Sequence, residues 1–319
     1  VDLTLSTDQR DLRDGLRAFL RDAWTADRLR AAADSPDLDR GAWRALADLG
    51  VFGLEVPESD GGMELGAAEA VLVFEELGRA LVPGPLVATY LAAALLGRPG
   101  AATGATVVTW ADRTAPVQVV EHLAAADEVI AAGEDGLWAL PAGKVAGTPA
   151  GIPLDPLTPV SHVVELPAGD PVGRAAAWRD RGAVLTAALQ VGVAQGALDL
   201  AVRYAGEREQ FGRVIGSFQA VKHLLAESLV RVDLARAAVL TAALTLDDPA
   251  AGDLAEAVAA AKILADDAAT AGGRCCVQVH GGMGFTWEVL AHLYLKRAWL
   301  LETGFGEPGV HAERLADRM

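Results

Sequence analysis

Arg208 stands three residues before Phe211–Gly212, and Phe218–Gln219 follow at what reads as a helix start. A guanidinium holds a phosphate through paired N–H donors, an aromatic ring lies against a planar ring, and an amide bonds a polar edge. In that chemistry Arg208, Phe211 and Gln219 take those three parts. A second cluster is CVQVHGGMGF, Cys276–Phe285, where Gln278, Val279 and His280 run into the paired glycines Gly281 and Gly282. Glycine lets backbone approach a ligand closely, and successive N–H groups can face an anion. Each cluster also has an ordinary counterpart: Arg208 as a solvated cation at a helix end, Phe211 as a core anchor, and the glycines as a plain turn.

Other chemistries find little support. The chain has no GxxxxGK[ST], no GxGxxG between strand and helix, no HExxH and no GxSxG. Six scattered histidines, none at metal-ligand spacing, argue against a catalytic metal. Cys275 and Cys276 are adjacent and alone, too few for a Cys-rich metal site, and fit a reducing cytoplasm. A net charge of −16 disfavours nucleic acid and anionic membranes, although a local arginine cluster can still receive a phosphate. No apolar run free of charge is long enough to predict membrane insertion, and the acidic, amphipathic start is unlike a signal peptide.

The elements that must hold these residues are mostly helices. Hydrophobic residues make up 52% of the 319 and aromatics only 5%, the balance of closely packed Ala-rich helices. Ser6 with Gln9 predicts a capping box ahead of Leu12, Leu16, Phe19 and Leu20 at helical spacing. Further helices are expected around 39–49, before the ELGRA turn, and over 85–96. After Pro99 short Val-rich runs separated by Gly, Pro and Asp predict strands; from Ala175 helices return. Gly192 and Gly196 share one face of the first of these and allow close helix approach. The expected architecture is mainly α: an N-terminal helical domain over 1–103, a truncated β domain over 104–172, and a C-terminal helical bundle over 173–319.

R-x-Q-F-G, F-Q-x-V-x-H-x-L-A-E and Q-x-H-G-G-x-G-F-x-x-E, in that order, closely resemble the acyl-CoA dehydrogenase family. PESDGGMELGAAEAVLVFEELGRAL resembles that family's Pro-Glu…Gly-Gly…Glu-Glu-Leu-Gly-Arg segment. The resemblance implies a helical domain, a middle β domain and a C-terminal four-helix bundle, with FAD shared across a subunit interface. It implies oxidation of an acyl-CoA thioester to its enoyl form: a glutamate takes the α-proton and the β-hydrogen leaves as hydride to the flavin. By the same match Arg208, Phe211, Phe218 and Gln219, and Gln278 through Gly282, would reach FAD held by a neighbouring subunit.

The chain departs from the family at three places. No T-E-P-x-x-G-S-D type loop occurs between Thr106 and Leu166. Counting from Arg297–Ala298 puts Phe305–Gly306 where the family's Glu-Gly stands, and the alternative base position falls near Gly182. The pattern therefore resembles the short subunit of heteromeric acyl-CoA dehydrogenases of actinobacterial steroid side-chain β-oxidation. That implies a longer catalytic partner in an α2β2 assembly, an acyl-CoA substrate, and no catalytic residue in this chain. Two alternatives stay open: a self-sufficient dehydrogenase using Glu302 or Glu307, and a structural or binding homologue without FAD.

Overall fold

A computed structural model describes residues 3–35 and 37–318. In chain order the helices are α1 (Thr7–Ala23), α2 (Ala26–Asp34), α3 (Arg40–Asp48), α4 (Ala67–Arg79), α5 (Leu86–Leu96) and the short α6 (Pro99–Ala102). Strands follow: β1 (Val108–Asp112), β2 (Gln118–Glu121), β3 (Glu128–Ala132), β4 (Gly136–Pro141), β5 (Thr148–Pro149), β6 (Val160–Val163) and β7 (Asp170–Arg174). Then come α7 (Ala175–Glu207), β8 (Glu209–Gln210), β9 (Arg213–Val214), α8 (Gln219–Asp247), α9 (Leu254–His280), α10 (Ala291–Glu302) and α11 (Pro308–Ala316). The mainly helical architecture expected of the sequence is the one observed. The chain forms two compact units, Val1–Arg30 with Val71–Val82 and Ala183–Met319, and Ala31–Ala70 with Pro83–Gly182.

The second unit is built on two small sheets. One has the order β1-β3-β4-β7, with β1 and β3 parallel and the other pairs antiparallel; the other has the order β2-β6-β5. Val120, Val129, Leu140 and Val163 form its apolar core. Thr89 of α5 ties helix to sheet: its hydroxyl donates to the Val108 carbonyl and accepts from the Val108 N–H, both at 3.0 Å. β7 has no sequence signal, because DPVGR offers a proline and a glycine where alternation would be sought.

In the first unit α1 begins as predicted. The Ser6 hydroxyl accepts from the Gln9 N–H, and the Gln9 side chain accepts from the Ser6 N–H. α8 and α9 run antiparallel, since Cys275 meets Leu224 and Arg231 meets Asp267. α7 is long and apolar enough to span a bilayer, yet 83% of its apolar window is buried within the protein, as in a core helix. Its Gly192 lies so close to α4 that a Cβ there would stand 1.9 Å from the Glu75 carbonyl oxygen and 2.7 Å from the Arg79 nitrogen. Backbone cannot yield as a side chain does. Gly192→Ala is therefore expected to destabilise by about 1–3 kcal/mol, read as a lower midpoint in chemical denaturation.

The same crossing carries buried charge. Glu76, 2% exposed, receives two hydrogen bonds from Arg17 at 2.6 and 2.9 Å. Glu75 receives Arg236, which also bonds the Gln195 side-chain oxygen at 2.7 Å. These pairs fix α1 and α8 against α4, because leaving either carboxylate unmatched would cost far more than the pair contributes.

Candidate functional site

The link between α7 and α8 is a hairpin. β8 pairs antiparallel with β9, leaving Phe211 and Gly212 as its two-residue tip. Both have positive φ, 54° and 76°, as in the mirror-image turns that match strand twist. Glycine takes that conformation freely; phenylalanine does so at a cost of about 1–2 kcal/mol. The Phe211 ring is nonetheless 91% exposed, so no core packing offsets that cost. Its edge-to-face contact is with Phe218, ring centres 6.1 Å apart, and the Arg213 guanidinium lies 4.2 Å over the other ring's centre.

Arg208 leaves the last turn of α7, its N–H bonded to the Tyr204 carbonyl at 2.8 Å, and its side chain is exposed. Its carbonyl accepts from the Ile215 N–H at 2.8 Å, which closes the base of the hairpin. Phe218 is the N-cap of α8 and supplies no side-chain cap, so the N–H groups of the first turn, from Gln219 on, lack the side-chain acceptor usual there. Gln219 is exposed.

The second cluster lies at the end of α9. Gln278, Gly281 and Gly282 are exposed, and a Cβ on either glycine would meet nothing within 4 Å. Gly281 has φ 59° and its N–H donates back to the Gln278 carbonyl. Val279 and His280 turn inward. His280 Nδ1 is 2.8 Å from the Cys276 carbonyl oxygen, and its ring stacks on Tyr204 with centres 4.2 Å apart. Burial holds its pKa below the usual imidazole value, so it bonds as the neutral ring, donating from Nδ1. Among these predicted residues, Val279 and His280 can offer a ligand only backbone.

Tyr204 joins the two clusters. It sits one turn before Arg208, stacks on His280, and places its hydroxyl 3.8 Å from Met283 Sδ. The end of α7, the start of α8 and the end of α9 therefore meet at one end of this unit. That end exposes a cation, an aromatic blade, a glycine pair and, beyond it, Phe285 at 77% and Trp287 at 53%. Sequence reading missed the hairpin, the Arg213–Phe218 stack and the Tyr204 link. The alternation of Gln210, Phe211–Gly212 and Arg213 is too short to betray a two-residue strand.

Of the carboxylate positions, Phe305 is buried with φ 56° and Gly306 has φ 104°. His311, fully buried, places Nε2 3.1 Å from the Phe305 carbonyl oxygen, and burial lowers its pKa to about 4. Glu302 is half-buried and Glu307, at the N-cap of α11, is exposed. Beneath the turn Lys262, fully buried, bonds both Asp266 oxygens at 2.9 and 2.8 Å and the carbonyls of Leu301 and Glu302. Beside Gly182, Arg181 is in close contact with Glu55, which also accepts from the Tyr90 hydroxyl at 3.1 Å. A carboxylate does stand there, but an arginine neutralises it.

Two family models cover most of the chain, the acyl-CoA dehydrogenase N-terminal domain over residues 6–104 and C-terminal domain over residues 178–319. The chain belongs to the acyl-CoA dehydrogenase family. It is 35% identical over 324 residues to acyl-CoA dehydrogenase IpdE2 of Mycolicibacterium smegmatis, covering 98% of both chains. It is 36% identical over 329 residues to acyl-CoA dehydrogenase FadE34 of Mycobacterium tuberculosis, covering 92% of this chain but only 45% of that relative. A solved steroid ACAD named for two proteins, Tcur3481 and Tcur3483, superposes with a TM-score of 0.84 at 26% identity, covering 98% of each chain.

Proposed function

We propose that this chain is the subunit of an FAD-dependent acyl-CoA dehydrogenase that completes the FAD site of a longer catalytic partner in an α2β2 assembly. The observation that carries the reading is Phe211: an aromatic ring held in a costly backbone conformation and left 91% exposed at a hairpin tip. Strain of that kind persists where a ligand or partner uses it. Residues beside it fit the adenine–pyrophosphate end of FAD. Arg208 and the uncapped first turn of α8 suit phosphate oxygens, Phe211 suits the adenine face, and Gln278–Gly282 suit close backbone approach. When bound, the flavin supplies the hydride acceptor for α,β-desaturation of the thioester.

A partner is supported on two further counts. α8 exposes Leu229, Val230 and Leu234 at 46%, 66% and 54%, an apolar face of the kind subunits cover. More than half of FadE34 lies outside its match to this chain, room for a second subunit-sized segment in one polypeptide. The two-protein steroid neighbour extends the proposal to a steroid acyl-CoA substrate.

The base belongs to the partner in this reading. Phe305 has no proton acceptor, Glu302 is half-buried and Glu307 exposed, both outside its position, and Glu55 is paired with Arg181. Glu302→Gln with Glu307→Gln, in the co-purified complex, is expected to leave flavin reduction by acyl-CoA within about twofold of the parent, since a lost base costs about 10²–10⁴-fold. A loss of that size with FAD retained would make this chain the self-sufficient enzyme instead.

A further inference from the structure

We propose that a cleft in the first unit, walled by α1, α2, α4, α7 and α10 and distinct from the FAD-facing hairpin, binds an amphipathic carboxylate, an extended apolar body with one anionic head. The cleft holds about 470 Å³, within the range of small-molecule sites. Its floor is apolar: Leu20, Leu29, Leu200, Leu290 and the ring of Tyr294, with Trp24 at one side. The Tyr294 hydroxyl is already committed to the Arg79 carbonyl at 3.0 Å, so the ring is what the cleft presents.

Charge at the cleft runs against the rest of the molecule. Four arginines and two carboxylates line it, a surplus of two positive charges in a chain whose net charge is −16. Both carboxylates are engaged: Glu76 by Arg17 and Arg79, Asp199 by Arg79 at 2.5 Å and by Gln195 at 2.8 Å. The two arginines left over are Arg21, whose one ion-pair partner is the exposed Asp22 at 3.5 Å, and Arg203, which makes no hydrogen bond or ion pair among the described residues. An apolar floor below two underused guanidinium groups suits a carboxylate that buries its chain and leaves its head at the rim.

The full-length chain, in whatever assembly it purifies, is titrated calorimetrically with decanoate, decanol, acetate and inorganic phosphate. Decanoate is expected to bind at least tenfold more tightly than each of the others. Arg21→Ala with Arg203→Ala is expected to weaken decanoate at least tenfold, whereas Arg208→Ala leaves it unchanged, which separates this site from the FAD reading. Should the double variant misfold by circular dichroism, Ala26→Trp at the exposed rim blocks the cleft and carries the same expectation. Decanol or phosphate binding as tightly as decanoate overturns the proposal. So does decanoate affinity indifferent to the variants, or sedimentation with phosphatidylglycerol vesicles without binding of dissolved decanoate.

Discussion

Arg208→Ala in the complex with a catalytic partner is expected to weaken FAD binding by about 10–100-fold, because a hydrogen bond to a charged group contributes about 1.5–3 kcal/mol. The side chain is exposed and packs no core, so the chain's own melting midpoint should not move. Phe211→Ala should add a comparable loss, since stacking on a base is worth about 1–3 kcal/mol. It should also leave the free chain no less stable, because alanine at φ 54° loses no buried area there. Equilibrium dialysis of FAD beside thermal denaturation separates the two effects. A drop in stability without a change in FAD affinity would return both residues to a purely structural role.

Lys262→Met is the substitution with the largest expected effect on folding. It removes the one cation among the described residues that bonds Asp266, which is 4% exposed, and breaking such a buried pair costs about 3–5 kcal/mol. The pH dependence follows from Asp266, whose pKa is pushed up to about 6, first by burial and against the pull of Lys262 and Gln190. A carboxyl raised in the folded state binds its proton there more tightly than when unfolded. Its contribution is therefore fullest below the ordinary carboxylate value and declines as pH rises towards 6. Without Lys262 the folded pKa rises further, so the penalty should be larger at pH 8 than at pH 5. His311, with a pKa near 4, stays neutral across that window, and Glu302 and Glu307 are the other charges facing Lys262. Urea denaturation at both pH values reads the difference; an equal penalty at each would mean that Asp266 is not the group left unmatched.

The helical frame was legible because its signals are local. The Ser6–Gln9 capping box, Gly50 after α3 and the Gly192 approach all work within a few residues or a single helix face. α2 and α11 escaped notice, one being a polar helix and the other beginning at Pro308 within a Gly-rich tail. The residues proposed to face the cofactor could be named from motif spacing, but their presentation could not. That Phe211 stands out while His280 turns in depends on the β8–β9 pairing, too short to mark itself in sequence, and on the Tyr204 stack, a contact between α7 and the distant end of α9. The alternative of Phe211 as a core anchor fell for the same reason. Register counting put Phe305 where the family's glutamate stands; the structure sets it in the turn after α10, beside His311 and the Lys262 cluster, which no motif describes.

The central claim is that this chain shapes an FAD site whose flavin and base belong to another subunit. The most direct measurement is the flavin-to-protein ratio of the chain purified alone and co-purified with a longer acyl-CoA dehydrogenase subunit that carries the catalytic glutamate. The account predicts a colourless chain alone and a yellow complex with about one FAD for each pair of unlike chains, which the acyl-CoA substrate bleaches. A yellow homo-oligomer of this chain alone that oxidises acyl-CoA would contradict it.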